Sequence, residues 1–174
     1  MTLDEAAVLR ALQSGARSQI LGALSLLKTE TQWIPTEAVV SACLSVLTHS
    51  REDDVQSDVI FALGLHWQCA RLYPEIMRML ADRAATSSVV VGSAIASLSA
   101  LARSDAAKVP EALSMLAQVT ADKAMSAAIR ATAYSNALRL AKKITSREFA
   151  GLADNDIASM DVDWPWVNSL AQNT

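Results

Sequence analysis

The sequence predicts an all-α protein made of paired helices stacked side by side. Three observations carry this. Of the 174 residues, 52% are hydrophobic but only 5% aromatic, and much of the apolar content is Ala, the best helix former. Five Gly and four Pro are too few to punctuate a many-stranded β protein. Apolar residues recur at helical spacing almost throughout, and strand-type alternation is missing. With 19% charged residues, such a chain buries enough surface to fold as one domain and is not intrinsically disordered.

The first helix is expected over about Leu3 to Ser14, with Thr2 as N-cap and Asp4 and Glu5 in the first turn, where carboxylates suit the helix dipole. The second spans about Arg17 to Lys28, with Ile20, Leu21, Leu24 and Leu27 on one stripe. The third opens at Pro35, a residue at home in a first helical turn. The fourth runs from about Asp54 to Leu72. Its residues Val55, Val59, Ile60, Phe61, Leu63 and Leu65 make it apolar nearly all round, so neighbours are expected on several sides. Pro74 opens the fifth. The sixth covers Ser88 to Arg103, where Gly92, Ala96 and Ala100 form a smooth ridge for close contact. Pro110 opens the seventh, and the eighth runs from about Asp122 to Lys143. A short helical piece near Ser146 to Leu152 and an irregular acidic tail, DVDWPWVNSL, follow.

The helices repeat. IPTEAVVSACL, YPEIMRML and VPEALSML open alike at Pro35, Pro74 and Pro110, 39 and 36 residues apart. A large apolar residue (Ile34, Tyr73, Val109) precedes each Pro, where a hydrophobic staple would sit, and Glu follows within two positions. The partner helices align at Leu24, Leu63, Leu98 and Leu138. This spacing, with the Pro-opened first helices and the Ala62-Leu63-Gly64 second helix, resembles the HEAT and armadillo-like helical repeats over about residues 3 to 143. The first repeat departs from the pattern, having no Pro in its first helix. The tetratricopeptide repeat has a shorter period and a Trp/Leu/Gly signature not found here. The resemblance implies a right-handed α-α superhelix of about four helix pairs. Residues 1–160 would form this single domain and residues 161–174 an acidic, Trp-bearing tail that caps it, as terminal repeats demand.

Candidates for chemistry are few. There is no phosphate-binding Gly loop, G-x-S-x-G or HExxH. His66 and Cys69 share a helix face but have no further ligands at metal spacing. His49 ends the third helix, where an imidazole complements the dipole. Cys43 and Cys69 lie in apolar stretches, read as reduced structural thiols. Enzymes of HEAT-like build fit poorly: deoxyhypusine hydroxylases rely on His–Glu pairs, absent here, and alkylpurine DNA glycosylases on a basic groove. Nothing points to the phycobilin lyases. Neither catalysis, cofactor nor metal is expected. An enzyme with an unrecognised site around His66 is the remaining alternative of that kind.

The net charge of −3 argues against a general nucleic-acid binder, whose affinity comes from phosphate neutralisation. The basic run Arg139, Lys142, Lys143 and Arg147 keeps nucleic acid as a second reading. The start, MTLDEAAVLR, has no basic region leading into an apolar run, and the uncharged stretch from Ala84 to Ala102 is rich in Ser. A cytoplasmic protein without a membrane segment is therefore expected. The acids Glu52, Asp53, Asp54 and Asp58 open the fourth helix. In a HEAT-like pair the second helices, here 17–28, 54–72, 88–103 and 122–143, line the concave face. The function expected is a protein-interaction module of adaptor or immunity-protein type, holding another protein there. Asp54, Asp58, His66, Arg130, Trp164 and Trp166 are the candidate contacts, and exposed repeat ends the candidate dimer surface.

Overall fold

The computed structural model describes residues 4–30, 33–152 and 155–172. Among these the protein is all-α, with ten α-helices and no strand. α1 (Glu5–Gln13) is capped by the Asp4 carboxylate, which accepts from the Ala7 N–H at 3.1 Å. Thr2, the expected cap, lies outside the described residues. α2 (Arg17–Thr29) packs against α1, and α3 (Glu37–His49) packs against α1 as well. α3 starts two residues later than Pro35 suggested, because the Thr36 hydroxyl takes the N-cap. Ile34 is 84% exposed and staples nothing. Tyr73 and Val109, by contrast, are the first residues of α5 (Tyr73–Ala81) and α7 (Val109–Ala121), whose prolines follow inside the first turn. The buried Tyr73 ties forward instead, its hydroxyl donating to Glu111 at 2.9 Å.

The expected long fourth helix is interrupted. α4 (Asp53–Ile60) runs into one widened π-helical stretch, Phe61–His66, and the chain turns away just after it at Gln68, with φ at 48°. The cause is tertiary. Gly64 lies so close to α6 (Ser88–Ser104) that a Cβ there would stand 2.4 Å from the Ser97 Cβ and Oγ. The buried Ser97 hydroxyl donates to the Ile60 carbonyl at 3.2 Å, serving an acceptor at the junction where the helix changes pitch. The close approach thus occurs at Gly64. At Gly92, on the expected ridge, a Cβ would make ordinary contact with Ile129 at 3.7 Å.

Each even-numbered helix packs on the next: α2 on α4, α4 on α6, and α6 on α8 (Ala127–Leu140). α5 packs on α6, and α7 on α8. Most of the core is one cluster built around Leu24, Leu47, Leu63, Ile95, Leu98 and Leu116. α8 begins later than expected, with Ser126 as its cap. Asp122 does other work: its carboxylate accepts from the Ala124 N–H at 2.9 Å and pairs with Arg83 at 2.7 Å, 39 residues back. After α9 (Ser146–Ala150), which carries a Thr145/Glu148 capping box, the tail is helical rather than irregular. α10 (Trp164–Ala171) packs against α7, with Asp163 as N-cap and Pro165 in its first turn. Val167, Ile157, Tyr134, Ala117 and Ala131 form a second, smaller apolar cluster there. No helix among the described residues is long and apolar enough to cross a membrane.

The turn at Asp122 carries a pH prediction. The Ala124 N–H, and after it the Arg83 guanidinium, hold the Asp122 carboxyl below its usual range. A carboxyl depressed in the folded state contributes stability above its unfolded pKa, about 4, and loses it as pH falls through the folded value. The urea midpoint should hold from roughly pH 7 to 5 and drop below about pH 4. Asp122→Asn should lower the midpoint at neutral pH and flatten part of the acid fall. An acid limb unchanged by the substitution counts against this role.

Candidate functional site

α4 and the π-helical stretch that continues it present two faces. Val55, Val59, Ile60 and Leu63 are buried, while Asp54, Asp58, Phe61 and Leu65, spaced three or four apart, and Ser57 beside them stay half-buried or exposed. Phe61, expected in the core, is 45% exposed. The signal was present in the sequence: Phe61 follows Asp58 by three positions and Asp54 by seven, so it shares their stripe. A large ring left to water in an aromatic-poor chain is the feature the sequence reading missed.

The acids on this stripe are engaged by α2. Arg17 grips Asp54, with Nε 3.4 Å from Oδ1 and Nη2 on Oδ2, and lies 3.8 Å from Glu52. The guanidinium holds the Asp54 carboxyl below its usual range. Lys28 pairs with Asp58 at 2.8 Å, and its ammonium sits 5.9 Å from the Phe61 ring centroid. On the other side, the Ser57 and Ser93 hydroxyls meet at 2.6 Å, joining α4 to α6. A Cβ placed on Gly22 of α2 would meet nothing within 4 Å. Phe61 therefore stands on a face whose charges are already paired.

The other expected contacts lie elsewhere. His66 ends the π-helical stretch, half-buried, with its ring 5.8 Å from Trp67, whose ring meets Trp33 edge-on at 5.7 Å. Arg130 donates from Nε to the Thr120 carbonyl at 2.9 Å and lies over the Trp164 ring at 5.7 Å. Trp166 meets the Tyr134 ring at 6.3 Å and the Lys143 ammonium at 3.9 Å. The structure thus brings together Asp54 with Asp58, and Arg130 with Trp164. No hydrogen bond, ion pair or ring contact among the described residues joins these groups to each other or to His66. Of the basic run, Arg139 stacks on Phe149 at 4.6 Å and Lys143 pairs with Asp163 at 3.4 Å. Cys43 is buried and Cys69 half-buried, both as free thiols; burial pushes the Cys43 thiol up to about 12. Among the described residues no three His, Cys, Asp or Glu side chains converge in a way that could hold a metal ion. Compared with known proteins, the chain matches no family model, no curated protein and no solved structure.

Proposed function

We propose that the protein is a non-enzymatic interaction module: four helix pairs, α1/α2 to α7/α8, stacked as a right-handed superhelix and closed at the C-terminal end by α10, which hold a partner protein against the face of α2, α4 and α6. The stacking rests on the even-helix packing of α2, α4, α6 and α8. The binding reading rests on one observation above all, the exposed Phe61 ring framed by the Lys28–Asp58 and Arg17–Asp54 pairs. An aromatic ringed by polar groups is the usual composition of an interface hot spot. Pairs already formed within the chain favour a partner that presents apolar surface, not one chosen by net charge.

The test is affinity capture from the source cell with identification by mass spectrometry, repeated with Phe61→Asp. The substitution should weaken capture of the specific partner by roughly tenfold or more. It should leave the melting curve within about 1 kcal/mol of the parent, because the ring is substantially exposed. Capture that survives Phe61→Asp unchanged removes this face from the reading.

A further inference from the structure

Away from the Phe61 face, α1 and α3, with parts of α2 and α4, line a concavity of about 790 Å³. Small-molecule sites commonly span about 300–1,000 Å³ and combine an apolar floor with a few placed polar groups. Here Leu9, Leu12, Ile20, Ala42, Val46 and Val55 supply the apolar lining. One end is polar, with Gln13, Arg17, His49, Ser50 and Glu52.

The chemistry of that end is one-sided. α1 and α3 run parallel: the Thr36 hydroxyl, at the start of α3, donates at 2.5 Å to Glu5, at the start of α1. Both C-termini, at Gln13 and His49, therefore reach the same end of the cleft. Helix C-termini carry partial negative charge and favour cations. His49 Nδ1 lies 2.8 Å from the Ser45 carbonyl, which can only accept. Nδ1 therefore carries the proton of this bond, which anchors the ring at the C-terminus of α3. Arg17, the one Lys or Arg in the lining among the described residues, is committed to Asp54. Among the described residues the Glu52 carboxylate has only the 3.8 Å approach to Arg17, so it retains acceptor capacity.

We propose that the α1–α3 cleft binds a small amphipathic amine, its apolar body on the Leu12–Ala42–Val46 floor and its ammonium group between Glu52 and the C-terminus of α3. The charge pattern selects this occupant: an acidic head group would meet two helix C-termini and a carboxylate, and a purely apolar ligand would leave these acceptors unused. The site shares no tested residue with the Phe61 face, so either can fail without the other.

The test is calorimetric titration of the whole chain, below micelle-forming concentrations, with decylamine, decanol and decanoate. Decylamine should bind one to one, and roughly tenfold or more tighter than decanoate, a factor about equal to one well-placed charge interaction. Glu52→Gln should bring decylamine down towards decanol. Ala42→Phe, which fills the floor, should abolish binding. Ser45→Trp, on the exposed rim, does the same should Ala42→Phe fail to fold. Decanoate binding as tightly as decylamine, no saturable binding of any probe, or binding that survives the cleft-filling variants each overturn the proposal. So does binding only of peptides bearing a Lys or Arg beside apolar residues.

Discussion

Gly64→Ala should destabilise the protein by about 3 kcal/mol, more than the same change at any of the other four glycines. The new Cβ would lie 2.4 Å from the Ser97 Cβ and Oγ and 3.1 Å from the Leu72 Cδ2. The Leu72 methyl can give way. The Ser97 Cβ cannot, because it is fixed to the backbone of α6, the helix that also contacts α4, α5 and α8. Relief therefore requires α4 and α6 to separate, loosening Ile60, Leu63 and Leu98, all fully buried. A second change isolates the cause. Ser97→Gly removes the clashing atoms at the cost of helix propensity and of the hydroxyl bond to Ile60. Gly64→Ala with Ser97→Gly should then be more stable than the two single losses added together, by about 1–2 kcal/mol. Urea unfolding of the four proteins measures the cycle. Strict additivity would sink the close-approach account.

Deleting residues 161–174 should lower the melting temperature by roughly 10 °C. The deletion strips α10 from α7 and exposes the cluster of Ala117, Ala131, Tyr134 and Ile157 around Val167, which is 1% exposed. It also removes two bonds of the Tyr134 hydroxyl, which accepts from the Asp163 N–H at 3.0 Å and donates to the Asp161 carbonyl at 3.4 Å. Burying a Val- or Leu-sized side chain is worth about 1.5–3 kcal/mol, and ordering the segment offsets part of it. A net loss of about 3 kcal/mol corresponds to roughly 10 °C in a domain of this size. Val167→Ala alone should cost about 1.5 kcal/mol. An unchanged melt after deletion would show that α10 leaves the stability of the remaining helices untouched.

The helical character was legible because it rests on local signals: Ala content, apolar period and first-turn prolines such as Pro74 and Pro110. What sequence reading got wrong came from contacts at long range or from short elements. The break in α4 depends on Ser97, 37 residues from Ile60, and no window around Ile60 contains it. Asp122 read as the start of α8, whereas its bond to Arg83 and its cap of the turn keep it outside the helix. α10 was missed although Asp163, Trp164 and Pro165 spell an N-cap followed by a first-turn Pro. Eight residues gave too short a period to weigh against the acidic composition around them. Of the candidate site, Asp54 and Asp58 were visible in the acidic cluster that opens the fourth helix. Phe61 was not, because an apolar ring in a segment apolar nearly all round reads as core whichever stripe it occupies. The α1–α3 cleft had no signature in the sequence, since it is made where four helices meet and its residues each look like ordinary core or rim.

The separation of the small cluster under α10 from the main core has a consequence for motion. α10 is held by Val167 and a few half-buried neighbours, whereas α6 places ten buried residues at the centre of the molecule. Opening α10 disturbs little of the large cluster, so its amides can exchange with solvent water while the rest stays folded. Amide protons of α6 can exchange only when the whole chain opens. Hydrogen exchange should therefore sort the helices into an outer shell that breathes at its C-terminal edge and an inner one that reports the global free energy.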